Sequence, residues 1–148
     1  MISRSAKYAL CAMVCLAKQQ QDPEGASGIT SQGIARQTEI SQGYLVKVLQ
    51  RLARDRLVTS RRGPTGGFTL RRPADQINLL EIIAAVEPID SNSNDDRSSP
   101  SLRKLDRVLK RSREKYIQSL QQTTLSDIVR DEQRTEHLNT DSHMTEPA

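Results

Sequence analysis

The amino-acid sequence predicts a mainly α-helical chain with one small β-hairpin, and three observations support that class. Leu45, Val48, Leu49 and Leu52 recur at helical spacing, while Gly43, Lys47, Gln50, Arg51 and Arg54 fall on the other face of the same segment. After Arg56 the pattern changes to two short strands, Leu57 to Arg61 and Phe68 to Arg71, around a glycine-rich turn from Arg62 to Gly67. From Pro100 onward, leucines return at three- and four-residue intervals, as in one extended helix. Together they describe a winged helix-turn-helix followed by a long C-terminal dimerisation helix.

Composition sets the bounds. A chain of 148 residues holds one domain with a modest core plus an appendage, and with 35% hydrophobic and 3% aromatic residues that core is aliphatic and small. A partner subunit would help to complete it. The net charge of +4 divides into +7 over residues 1–75 and −3 over residues 76–148. The basic half contains the hairpin, which is the electrostatic footprint of a polyanion binder. Cys11 and Cys15 lie four apart on one predicted helix and make no disulfide framework, which suits a reduced cytoplasm. The apolar run YALCAMVCLA has signal-peptide length, but Lys18 and a glutamine run follow it without a small-residue cleavage site. No signal peptide and no membrane span are expected, and a cytoplasmic location is.

The first helix is predicted from about Arg4 to Gln20. Ile2, Ala6, Ala9, Met13 and Leu16 form one stripe and Tyr8, Ala12 and Cys15 another, so the helix is expected to be buried on more than one side, with a second subunit as one candidate cover. DPEGASG reads as a loop. Thr30 or Ser31 caps a short helix through Gln37, and the turn Thr38-Glu39-Ile40 leads to the helix capped by Ser41. In the hairpin turn, Pro64 fixes its own φ, and Gly66 and Gly67 are the residues expected to take positive φ. Asn78 and Glu81 have capping-box spacing and open LLEIIAAVE, which stops before Pro88.

Residues 1–88 thus form the winged helix-turn-helix, and 89–100 form a polar, turn-rich loop expected to be mobile. Ser99-Pro100 starts the long helix, which runs to about Gln121. Its Leu102, Leu105, Leu109, Tyr116 and Leu120 make a stripe that needs a partner, and a second copy of the same helix is the simplest one. The seven basic residues between Arg103 and Lys115 read as a solvated outer face, with contact to nucleic acid as the competing assignment. Thr124 caps a short fold-back helix, LSDIVR, completing the unit 101–130, and the tail 131–148 is expected to be disordered.

SRSAKYAL, ISQGYLVKVLQRLARDRLVTSRRGPTGGFTL, INLLEIIAAVE and TTLSDIV resemble the Rrf-two family of winged-helix regulators from about Ile2 to Val129. That family includes the iron–sulfur cluster regulator and the nitric-oxide-sensitive repressor. The resemblance implies a bacterial, homodimeric transcriptional regulator, usually a repressor, whose recognition helix and wing read a pseudo-palindromic operator and whose long helix forms the dimer interface. Sensing members of the family hold an iron–sulfur cluster with three cysteines in the loop before the long helix. Here the loop from Ile89 to Pro100 has none, and the position of the acidic fourth ligand of some relatives corresponds to Lys7. No cofactor is therefore expected, and the signal must be something else.

Cys11 and Cys15 are the remaining candidates for redox or metal sensing, against the simpler assignment of small apolar helix residues. For double-stranded DNA, the expected contacts are Gln42, Gly43, Tyr44 and Lys47 near the start of the recognition helix. Gln42 suits adenine, Lys47 suits guanine or a phosphate, and Gly43 permits close backbone approach. Arg61 and Arg62 are assigned to the wing, with Arg51 and Arg54 as weaker phosphate contacts. No enzyme is expected: GPTGG lacks the Gly-Lys-Ser/Thr ending of a phosphate-binding loop, and both histidines lie in the tail. Two other functions compete with a specific regulator, a module that docks a partner enzyme or regulator and a non-specific architectural DNA binder.

Overall fold

The computed structural model describes residues 2–22, 27–87 and 99–141, with side chains to residue 136. The element order is α1 (Arg4–Gln21), α2 (Ser31–Thr38), α3 (Gln42–Arg54), β1 (Val58–Arg61), β2 (Gly67–Leu70), a 3₁₀ turn (Ala74–Gln76), α4 (Leu79–Val86), α5 (Pro100–Gln122) and α6 (Leu125–Asp141). This is the helical fold with one hairpin that the periodicities predict.

Helix starts follow the capping chemistry. Ser3 accepts from the Ala6 N–H, Thr30 from Gly33 and Ser99 from Leu102, and Asn78 and Glu81 form the full reciprocal box. Ser41 occupies the N-cap of α3 without a side-chain bond.

Strands β1 and β2 pair antiparallel from Val58↔Leu70 to Arg61↔Gly67. Leu57 stays outside β1 because its N–H closes back on the Leu52 carbonyl at the end of α3. In the turn, positive φ falls on Gly63 (109°) and Gly67 (134°), a correction to the expected Gly66 and Gly67. Gly66 answers to space instead, since a Cβ there would stand 2.5 Å from the Arg61 carbonyl oxygen. Ile29, just after the stretch read as loop, bridges to Phe68 through two backbone hydrogen bonds and gives the hairpin a third edge.

α1 is the centre of the core. Ala6, Ala9, Ala12, Met13, Cys15, Leu16 and Ala17 are buried, and the helix packs against α2, α3, α4, β2 and α6 of its own chain. Four of these are alanines, whose small side chains let neighbouring helices approach closely. Ala12 and Cys15 of the second stripe are therefore covered from within the chain, while Tyr8 is half-buried.

α6 provides part of that cover and departs from the expectation of a short helix and a disordered tail from Asp131. It runs to Asp141. Leu125 and Val129 are fully buried, Lys18 Nζ lies 2.7 Å from Glu132 Oε2, and Gln133 donates to Gln21 at 3.4 Å. A polar segment needs no apolar stripe of its own once a neighbouring helix end supplies polar partners. The junction before α6 is also stitched to the start of α4, by Leu79 N–H to the Thr123 carbonyl and Leu125 N–H to the Ile77 carbonyl. α6 thus shares the core of the winged helix. The loop expected at 89–100 lies outside the described residues as far as residue 98, as does the tail beyond residue 141.

Candidate nucleic-acid interface

α3 buries Leu45, Val48, Leu49 and Leu52 and presents Gly43, Lys47, Gln50 and Arg54 to solvent. Gly43 is the informative residue on that face. A Cβ there would meet nothing within 4 Å, so the fold itself does not require glycine. As the second residue of α3, Gly43 leaves the backbone of the first turn uncovered by a side chain. Beside it, Gln42 is exposed and leans toward α2, its Nε2 3.4 Å from Ser31 Oγ.

Tyr44 stands on the flank of α3 rather than on its outer face. Its hydroxyl lies 2.5 Å from Ser5 Oγ on α1, and its ring meets Tyr8 edge-on at 5.2 Å and 88°. Sequence reasoning expects Tyr44 near DNA and gives no sign of its bond to Ser5. The i, i+3 relation of Ser5 and Tyr8 on α1 is the only available signal, and it carries no information about α3.

The arginines divide into two groups. Arg61 and Arg62, at the end of β1 and the start of the turn, are exposed, as are Lys47, Arg54 and Arg71. Among the described residues none of these five forms a salt bridge. Arg51 and Arg72, by contrast, are committed to the fold. Arg51 Nη1 donates to the Val86 carbonyl at 2.8 Å, tying the last turns of α3 to the end of α4. Arg72 pairs with Glu81 at 2.7 Å and donates to the Gln76 carbonyl at 3.0 Å. The Arg51 guanidinium thus satisfies a carbonyl at a helix end with one of its N–H groups, while the residue itself remains exposed. A cleft of about 410 Å³ lies between these helix ends, lined by Arg51, Arg54, Asp55 and residues 84–87.

On α5, Leu102, Leu105 and Leu109 are 52–57% exposed and Tyr116 is 47% exposed, together with Val108, which the leucine stripe overlooks. Leu120 belongs elsewhere: it is 9% exposed and joins the core of its own chain. Its place in the interface stripe is corrected on that ground, because α5 passes from open surface to the α4 contact along one continuous face.

Cys11 is exposed, whereas Cys15 is buried and donates to Gln37 Oε1 at 2.8 Å. Burial pushes the Cys15 thiol up, partly opposed by the Lys18 ammonium. A thiol held protonated is a poor nucleophile and a poor metal ligand. No group of three or more His, Cys, Asp or Glu that could hold a metal occurs among the described residues, and none of their helices is long and apolar enough to cross a membrane.

Known proteins share this arrangement. A family model described as Rrf2, iron-dependent transcriptional regulator, matches residues 2–131. The HTH-type transcriptional regulator IscR of Cereibacter sphaeroides is 31% identical over 140 residues, spanning 90% of this chain and 89% of the relative. The structure of CymR, the global cysteine regulator of B. subtilis, superposes with a TM-score of 0.73 at 31% identity, covering 87% of this chain and 95% of that one. T. potens IscR, at 24% identity, shares the fold with a TM-score of 0.69 over 99% of this chain and 93% of its own. The matched family and the named relatives are regulators of transcription and not enzymes. With an open recognition face, an arginine-bearing wing and this kinship, the chain belongs to the Rrf2 family of winged-helix transcriptional regulators.

Proposed function

We propose that this regulator works as a cytoplasmic homodimeric repressor that reads a two-fold operator and carries no iron–sulfur cluster. The observation that carries the DNA reading is the outer face of α3, where Gly43 is unconstrained by the fold and Lys47 is unpaired, beside the exposed Arg61 and Arg62 of the wing. Gln42, Gly43 and Lys47 enter the major groove, and the wing arginines meet the backbone or the minor groove. The exposed stripe of α5 supports the dimer, since a second copy buries Leu102, Leu105 and Leu109 and sets the spacing of two half-sites.

The family description names iron, and the donors in this chain do not fit a cluster of the kind its sensing members hold. The sequence has two cysteines, both on α1, and one of them is buried and hydrogen-bonded to Gln37. The repressor therefore answers to a different signal or acts constitutively.

The test is selection of duplexes from a random pool, followed by anisotropy with the selected duplex and a scrambled one at low and near-physiological salt. Preference for the selected duplex should survive the higher salt. Lys47→Ala should relax that preference, and Arg62→Ala should weaken both duplexes and reduce the salt slope by about one. Equal binding that vanishes with salt would instead identify an architectural binder.

A further inference from the structure

We infer that Ser5, on α1, is a DNA-backbone contact, and that Tyr44 is its positioning residue. The inference rests on the DNA reading above and adds to it a contact from outside the helix-turn-helix.

Ser5 Oγ and Tyr44 Oη lie 2.5 Å apart, which is a full hydrogen bond between two hydroxyls. Each hydroxyl brings one proton and two acceptor sites. One proton is consumed in the bond between them, and one remains. Neither hydroxyl has another hydrogen-bond partner among the described residues, so that remaining O–H has no protein acceptor.

The chemistry of the pair decides where it sits. A phenol O–H is the stronger donor and an aliphatic hydroxyl oxygen the stronger acceptor, so Tyr44 donates to Ser5. The free proton is then the serine's. Donation into Ser5 also polarises its O–H, which makes it a better donor in turn.

Tyr44 is poorly free to turn away, because Tyr8 holds its ring edge-on at 5.2 Å. Ser5 is thus presented beside the first turn of α3, on the flank that Tyr44 occupies, to one side of Lys47 in the next turn. A donor in that place, next to a helix lying in the major groove, meets the phosphate rim of the groove rather than base edges. Arg4 and Lys7, both exposed on the same turns of α1, make the surroundings attractive to an anion. The acceptor is accordingly a phosphodiester oxygen.

Anisotropy with the duplex selected by the wild-type protein tests the pair. Ser5→Ala should weaken binding about tenfold, the scale of one hydrogen bond to a charged group. Ser5→Thr, which keeps the hydroxyl, should restore most of the affinity. Tyr44→Phe should weaken binding by a smaller factor, and the double variant Ser5→Ala/Tyr44→Phe should bind no worse than Ser5→Ala alone. A neutral donor displaces no counterion, so the salt slope should stay at the wild-type value in all four, unlike that of Arg62→Ala. Wild-type affinity in Ser5→Ala, fully additive losses in the double variant, or a loss that Ser5→Thr does not repair would overturn the assignment while leaving the DNA reading intact. Failure of the wild-type protein to select any duplex would overturn both.

Discussion

Helices α1 and α5 carry apolar stripes of the same kind and differ in what covers them. α1, with 18 residues, buries seven of them among five elements of its own chain. α5, with 23 residues, buries only Leu120, and its remaining leucines face outward. The local patterns do not distinguish the two, because a stripe states that a face needs cover and not who provides it. Side-chain size and charge are more telling. Along α1 the stripe is built from alanines, which invite close intrachain packing, whereas along α5 leucines stand opposite a face that includes Arg103, Lys104, Arg107, Lys110 and Arg111. A helix apolar on one side and strongly cationic on the other suits a cover that leaves its back in water, as a second copy of the same helix does.

The largest expected effect is on α5. Leu105→Lys combined with Leu109→Lys should halve the mass seen by sedimentation velocity and remove the concentration dependence of Tm, because two buried ammonium groups at each copy of a seam are not tolerated. The far-ultraviolet spectrum should stay close to wild type. An unchanged mass would break the comparison, since the α5 stripe would then have no role in association.

The matching change on α1 is smaller in consequence for assembly and larger for the fold of each chain. Leu16 is 2% exposed, and Leu16→Ala should cost about 2–5 kcal/mol in denaturant unfolding through lost contacts and the cavity left behind. That loss should not depend on protein concentration. A cost below about 1 kcal/mol would mean that the α1 environment is loose enough to collapse around the cavity.

Much of this contrast was legible in the sequence, and the parts that were not have a common cause. Periodicity located α1, α3 and α5, and residue chemistry located the Asn78–Glu81 box and the Ser99-Pro100 start, because each of these signals lies within a few residues. The bridge from Ile29 to Phe68 escaped because one paired residue has no period. The length of α6 escaped because its hold on α1, through Lys18–Glu132, joins residues more than a hundred positions apart. At the candidate interface Gln42, Gly43, Lys47, Arg61 and Arg62 are all exposed, on the helix and hairpin that local patterns locate. Arg51 and Ser5 do not follow from sequence, since their partners, Val86 and Tyr44, lie 35 and 39 residues away. Leu120 shows the same limit within a single helix, where spacing is uniform while the neighbours change.

The smallest expected effect concerns the reciprocal cap at the start of α6. Asp127 accepts from the Thr124 N–H at 2.9 Å and from its hydroxyl at 2.8 Å, while Thr124 Oγ1 accepts from the Asp127 N–H at 3.2 Å. The backbone bond from Thr124, followed by its hydroxyl bond, holds the Asp127 carboxyl below the usual carboxylate range. A carboxyl depressed by folding stabilises the folded state above its unfolded pKa, about 3.9, and that contribution is lost as pH falls through the lower folded value. The Thr124 amide resonance should therefore titrate below the ordinary aspartate range, and amide exchange in the first turn of α6 should accelerate across the same interval. Asp127→Asn should abolish that titration without altering the mass of the assembly, because the cover it secures is internal to the chain. If the Thr124 amide instead titrates with an ordinary carboxyl, the reciprocal cap is not holding α6. Cover of α1 would then rest on Leu125, Val129 and the Lys18–Glu132 pair alone.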